Sequence, residues 1–232
     1  KTPLHLAAAC GNVAALAALA KADPSAIGLK DDQGCTVLHW ACYNENANCV
    51  EYLLEQSLVE TLEGNPFSPV HCAVHQGSAL CLELLINKFG GQAVAAPRDT
   101  PGGRLPLHIA ASAGSVECAK LILNAVGAEA AGLESQDYAG RTPLLSAAIT
   151  GQINTIELLL EWKADVRAVD SGNNSALHLA CQRRHSTAAS LLLDKIETMF
   201  KDTQDKIGQI VNMVNKQQKT PLHLAARNGL VG

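Results

Sequence analysis

Aromatic side chains are nearly missing from this sequence: Phe, Trp and Tyr together make up 3% of its 232 residues. The 47% of hydrophobic residues must therefore build a core from Leu, Ala, Ile and Val, which suits thin layers of small helices better than one thick core. A basic surplus is also lacking, because 18 Lys and Arg face 22 Asp and Glu for a net charge of −4. That balance leaves no electrostatic footprint for a phosphate backbone and argues against nucleic acid as the main partner. Apolar runs such as Val13 to Ala20 fall short of the roughly 18 to 20 residues that cross a bilayer, and no charged-then-apolar leader opens the chain. Membrane insertion of this segment is not expected. No pair of the eight cysteines has Cys-x-x-Cys spacing. Spread through a chain long enough to bury a core without staples, they read as reduced, small apolar residues in a cytosolic setting. The chain opens at Lys1, inside a motif, and is expected to be a piece of a longer protein.

What the sequence has instead is a tetrapeptide repeated seven times: Thr2-Pro3-Leu4-His5, Thr36-Val37-Leu38-His39, Ser68-Pro69-Val70-His71, Leu105-Pro106-Leu107-His108, Thr142-Pro143-Leu144-Leu145, Ser175-Ala176-Leu177-His178 and Thr220-Pro221-Leu222-His223. Their starts lie 34, 32, 37, 37, 33 and 45 residues apart. Thr or Ser can cap a helix by accepting a bond from an orphan backbone N–H, and Pro in the next position has no N–H to lose and a helical φ already set. Each tetrapeptide is therefore a helix start. Small steps such as Ala7-Ala8 and Ala147-Ala148 follow and let helices approach closely, and Gly11, Gly77, Gly114, Gly151 and Gly229 stop the short helix. Glu45 and Arg184 hold that slot in two repeats, which predicts turns there that are somewhat strained, or differently shaped.

Second apolar stretches such as Val50 to Leu54, Leu82 to Ile86, Ile156 to Leu160 and Ala189 to Leu193 complete a helix pair in each repeat. Turn-forming segments such as Asp31-Asp32-Gln33-Gly34, Asp137-Tyr138-Ala139-Gly140 and Asp170-Ser171-Gly172 join one pair to the next. A unit this small cannot bury its own apolar face and must stack on its neighbours. The period and the signature resemble the ankyrin repeat. The resemblance implies an all-α solenoid of stacked helix-turn-helix units joined by β-turn fingers. On that reading residues 1–232 form a single array, six complete repeats plus the first helix of a seventh.

The 45-residue gap before Thr220 carries an insertion around residues 194–215. Its apolar Ile196, Met199, Phe200, Ile207, Ile210, Val211 and Val214 recur mostly at helical steps, opposite Lys195, Glu197, Asp202, Asp205 and Lys206. The pattern predicts a lengthened outer helix, or an extra helix, whose apolar face packs back on the array.

Chemistry finds little to stand on. Six histidines, His5, His39, His71, His108, His178 and His223, recur at the fourth tetrapeptide position, as expected for imidazoles that bond backbone and N-cap hydroxyl rather than for a catalytic base. His185 follows the turn slot in its repeat and His75 is off the pattern. His71, Cys72 and His75 supply too few local ligands for zinc. No nucleophile with an oriented base stands out, nor any phosphate-binding Gly-rich loop, and Gly90-Gly91 and Gly102-Gly103 read as loop punctuation. The expectation is a protein that is not an enzyme and needs no cofactor.

In the ankyrin family the partner-facing positions are the turn tips and the two residues before the helix-ending Gly slot. Carried onto this sequence, those are Gln33, Tyr43, Asn44, His75, Gln76, Arg104, Tyr138, Arg141, Gln182, Arg183, Arg227 and Asn228, with Tyr and Arg as typical interface anchors. A finer likeness lies in Gly34 to Asn44, with Trp40, in Glu63 to Val74, with the Asn-Pro-Phe-Ser-Pro run, and in Thr220 to Leu230. These stretches look like the later repeats of the serine/threonine-protein phosphatase 6 regulatory ankyrin repeat subunits. That resemblance implies a scaffold in the cytoplasm, with the nucleus as a second compartment, joining a phosphatase 6 catalytic subunit to its other regulatory subunit. The competing expectation is the cytosolic ankyrin domain of a membrane channel or signalling adaptor.

Overall fold

A computed structural model describes residues 1–55, 67–99 and 101–230, which divide into two compact units. The Glu63 to Pro66 part of the run singled out above lies outside the described residues. Unit one comprises residues 1–106 and 117–131, and unit two comprises 107–116 and 132–232.

The first unit pairs α1 (Pro3–Ala9) with α2 (Val13–Ala22), which a 3-10 turn at Pro24–Gly28 follows. It then pairs α3 (Val37–Tyr43) with α4 (Ala47–Glu55) and α5 (Pro69–Gln76) with α6 (Ala79–Phe89). The short α7 (Gly91–Ala95) comes next. Helices α1, α3 and α5 form one packed row, and α2, α4 and α6 form the other. Each inner helix starts where its tetrapeptide predicts. Thr2, Thr36 and Ser68 are extended N-caps, and the His three residues on closes a reciprocal capping box. The apolar residue between them, Leu4, Leu38 or Val70, is buried.

Most of α8 (Pro106–Ala113) belongs to the second unit, whereas α9 (Val116–Ala130), kinked at Gly127, belongs almost wholly to the first. Gly91 is more than loop punctuation: a Cβ there would stand 2.7 Å from Val126 and 3.0 Å from the Cβ of Ala125, so its bare backbone is what lets α7 meet α9.

In the second unit α10 (Pro143–Thr150), α12 (Ala176–Gln182) and α15 (Pro221–Arg227) pack as inner helices, with α11 (Ile153–Glu161) and α13 (Ser186–Met199) as outer ones. The insertion follows the sequence pattern. α13 runs 14 residues against 9 for α11, and α14 (Gln204–Val211) packs against it. Ile196 and Ile210 are buried, whereas Met199 stays 48% and Val214 41% exposed, so the apolar face is mostly but not wholly covered.

The turn slots bear out the predicted strain. Glu45 takes φ 58° and Arg184 takes φ 66°, left-handed backbone that costs a non-glycine residue on the order of 1 kcal/mol. Gly151 shows why other repeats keep glycine: its φ is 72°, and a Cβ would lie 2.6 Å from the ring of His185, which arrives from the next repeat. Asn46 fills the same space over Gly11.

Two buried side-chain atoms have no partner among the described residues, Arg141 Nε and the Thr155 hydroxyl. Thr155 in α11 is fully enclosed, and its hydroxyl has no hydrogen-bond partner among the described residues. Thr155→Val keeps the branched shape and removes the orphan, and a gain of about 1 kcal/mol is expected. A urea midpoint that falls in this variant would show the hydroxyl to be engaged.

Candidate functional site

Two ladders of side-chain bonds hold successive inner helices in register. In the first, His5, His39, His71 and His178 each use both ring nitrogens, whereas His223 bonds Thr220 through Nδ1. His5 Nδ1 faces Thr2 N–H at 3.1 Å and the Thr2 hydroxyl at 2.8 Å, and its Nε2 faces the Cys35 carbonyl at 3.0 Å. Nε2 must carry the proton, because a carbonyl only accepts, so Nδ1 is the acceptor. The same pattern joins His39 to the Phe67 carbonyl, His71 to Arg104, His108 to Arg141 and His178 to Lys219. In every case the acceptor is the residue just before the next N-cap. Both nitrogens of His71 are thus engaged and neither faces Cys72 and His75 as a free ligand. His39, His71 and His178 are held below the ordinary histidine value of 6.5 by burial, only partly offset by their carbonyl partners.

The second ladder sits at the opposite end of the inner helices. Asn46 Nδ2 donates to the carbonyls of Ala8 and Ala9, His185 Nε2 meets the Ile149 carbonyl, and Asn228 Nδ2 donates to Cys181 and Gln182. These bonds satisfy C-terminal carbonyls that a helix leaves open.

The fingers are anchored by one acidic or amide side chain at their base. Asp31 Oδ1 accepts from Gln33 and Cys35 N–H, Asp137 from Ala139 and Arg141, Asp170 from Gly172 and Asn174, and Asn215 from Gln217 and Lys219. Adjacent fingers also bond through their backbones: Ser171 N–H donates to Ala139 and Lys216 N–H to Gly172. The finger around Asp99 is longer and uses a buried carboxylate. Asp99 accepts from Gly102 and Arg104 N–H and from Arg104 Nε, the last at 2.6 Å. Burial alone would raise this carboxyl, but the Arg104 N–H and guanidinium bonds outweigh it and hold it below the ordinary range.

On this frame the twelve expected partner-facing residues fall into two groups. Gln33 and Tyr138 are exposed at finger tips, Tyr138 by 73%, and Tyr43, Asn44, His75, Gln182, Arg183 and Arg227 are exposed at helix ends. Tyr43 lies edge-on to Trp40 with ring centroids 6.1 Å apart. Trp40 donates Nε1–H to Asp31 and lies beneath the Lys1 ammonium, 3.4 Å from the ring centroid. Gln76, Arg104, Arg141 and Asn228 are half-buried. Arg104 is committed to Asp99, and Asn228 gives its amide to α12. Arg141 does not simply point outward: its Nε is enclosed and unpartnered among the described residues, while its backbone serves both Asp137 and His108.

Three of the twelve, Gln182, Arg227 and Asn228, meet in a cleft of about 260 Å³ in the second unit, closed by Gly172, Asn174, Asn215, Lys216, Gln217 and Leu224. Sequence reasoning missed the finger Asn215 to Lys219, which has no glycine and sits behind the insertion. The signal was present: Asn215 precedes its N-cap by five residues, as Asp31, Asp137 and Asp170 precede theirs.

Capped helix pairs, histidine rungs and Asx-anchored fingers define a helical repeat protein whose exposed side chains sit on a rigid frame. The chain belongs to the ankyrin-repeat family: a family profile described as "Ankyrin repeats (3 copies)" matches residues 1–62, 55–131, 129–205 and 169–231. Among solved structures it is similar to the human ASB11 ankyrin repeat domain, with 25% identity, 97% of this chain and 92% of that chain covered, and a TM-score of 0.77. It is also similar in fold to the ankyrin repeat domain of Bcl-3, a member of the IkappaB protein family, with 24% identity, 97% and 94% coverage and a TM-score of 0.69. Ankyrin repeats are protein–protein interaction scaffolds, and no described helix is long and apolar enough to cross a membrane.

Proposed function

We propose that this chain is a non-catalytic scaffold of a serine/threonine-protein phosphatase 6 complex in the cytoplasm, binding the catalytic subunit or its other regulatory subunit through finger tips and helix ends. The observation that supports binding there is the exposure of Tyr138, Tyr43 and Arg183 on elements whose backbones are fixed by the Asx anchors and the capping ladders. Large side chains held on a rigid frame lose little entropy when a partner covers them. The choice of phosphatase rests on the likeness of the Trp40 and Thr220 to Leu230 stretches to those regulatory subunits.

Purified phosphatase 6 catalytic and regulatory subunits, titrated separately against this chain, test the reading. Tyr138→Ala combined with Arg183→Ala should weaken the bound complex at least about tenfold while leaving the urea midpoint unchanged. Arg141 is left intact in this test, because its backbone carries a histidine rung. Absence of binding to either subunit would remove the phosphatase, and full affinity in the double variant would move the surface elsewhere.

A further inference from the structure

The cleft of the second unit carries an unusual charge distribution. Residues 171–193 and 207–232, which supply every lining residue, contain Arg183, Arg184, Lys216, Lys219 and Arg227 and no Asp or Glu, in a chain whose net charge is −4. All 22 acidic residues lie elsewhere. Inside the cleft the amides of the floor are already committed. Asn215 Nδ2 donates to Asn174, Asn174 Nδ2 donates to Asp170, and Asn228 Nδ2 covers the Cys181 and Gln182 carbonyls. Asp170, just outside, keeps its negative charge but has its carboxylate engaged by the Gly172 and Asn174 N–H groups and the Asn174 amide. Leu224 is a buried apolar patch in the wall.

What remains free is at the rim. The Lys216 ammonium, the Arg227 guanidinium and the Gln182 and Gln217 amides have no side-chain bond or ion pair among the described residues, and all four residues are exposed. Two uncompensated cations and two amides thus border a recess of about 260 Å³. That is slightly under the roughly 300 Å³ at which small-molecule sites begin, so it suits one or two side chains of a partner. The end of α12 would ordinarily repel an anion through its open carbonyls. The Asn228 amide already occupies the two carbonyls that border the cleft.

We propose that this cleft takes an extended acidic segment of a partner protein, with Asp or Glu carboxylates set between Lys216 and Arg227 and Gln182 and Gln217 bonding the segment's backbone. The inference deepens the scaffold reading and rests on its claim that helix ends and fingers face partners, but not on the identity of the phosphatase. Arg is suited to fork onto a carboxylate, and Lys adds a point charge.

The probe is a fluorescein-labelled decapeptide of alternating Glu and Gly, followed by anisotropy at low and physiological salt, beside the matching Gln and Gly peptide. The acidic peptide should bind and the neutral one should not. Lys216→Glu with Arg227→Glu should weaken binding at least about tenfold with an unchanged thermal midpoint, since neither side chain holds the fold. Lys163→Glu with Lys201→Glu, which makes the same charge change away from the cleft, should leave affinity within about twofold. Equal losses in the two double variants would show a diffuse field and overturn the site, as would no binding by the wild-type chain. Displacement of the probe by inorganic phosphate at equal charge concentration would make this a small-anion site and overturn the peptide reading. Failure to bind phosphatase subunits with the peptide result intact would sink only the phosphatase assignment.

Discussion

His71→Ala is expected to lower the stability of the chain by about 3 to 5 kcal/mol, more than an ordinary buried truncation of a polar residue. The ring is 2% exposed and performs three tasks at once. Its Nδ1 accepts from the Ser68 hydroxyl at 2.7 Å and from Ser68 N–H at 3.3 Å, and its Nε2–H donates to the Arg104 carbonyl at 3.1 Å. Alanine would leave the buried Ser68 N–H and hydroxyl without their acceptor, strip the Arg104 carbonyl of one of its two donors (Asp99 N–H remains), and open a ring-sized void between α5 and the Asp99 finger. Each unpaired group costs about 1 to 3 kcal/mol and the void adds its own share. His75→Ala, one turn further along the same helix and exposed, should change stability by less than about 0.5 kcal/mol. Urea unfolding of the two variants checks both. A loss below 1 kcal/mol for His71→Ala would mean that the rung is not a structural tie, in conflict with its geometry.

The same rungs make stability depend on pH in a window that the down-shifted Asp31 and Asp99 do not share. His39, His71 and His178 titrate near 6.5 in the unfolded chain and lower in the folded one. Between those values the unfolded chain holds protons that the folded chain refuses. Stability is therefore complete above pH 6.5, is lost as pH falls toward the folded values, and levels off below them. The folded state refuses the proton because the rings are buried, and on Nδ1 it would also point at the backbone N–H that this atom now accepts from. Asp31 and Asp99, shifted down, lose their contribution only below 3.8. Glu134, shifted up from 4.5 by burial, works in the opposite direction, one group against three. The urea midpoint should fall steadily from pH 7 to pH 5. A flat midpoint across that range would contradict the neutral, doubly bonded rings.

Much of this was legible in the sequence because the determinants are local. A Thr or Ser cap, Pro behind it and a glycine stop eight or nine residues on are decided within one helix, and the seven tetrapeptides mark the starts of the inner helices. The insertion was legible for a similar reason, since Ile196 and Ile210 advertise a helical face by spacing alone. What could not be read depends on residues brought together from far apart in the chain. Arg104 looked like a free finger-tip cation, but the Asp99 carboxylate that claims it is buried only once the finger is formed. Asn228 looked like a surface amide, although it reaches back 47 residues to Cys181. Gly91 read as punctuation until Ala125 and Val126 were found against it. The cleft itself was hidden because its finger takes a left-handed turn at Gln218, φ 57°, with no glycine to announce it.

One tetrapeptide departs from the rest. At Leu145 an apolar side chain, fully buried, stands where the other repeats place an imidazole, so the α10 to α12 joint is made by packing alone at that position, whereas the α12 to α15 joint carries His178. The second unit therefore has neighbouring tetrapeptide positions that answer differently to acid: the His178 rung can take up a proton and Leu145 cannot. A single Leu-for-His exchange thus decides which tetrapeptide rung of the second unit mild acid can reach.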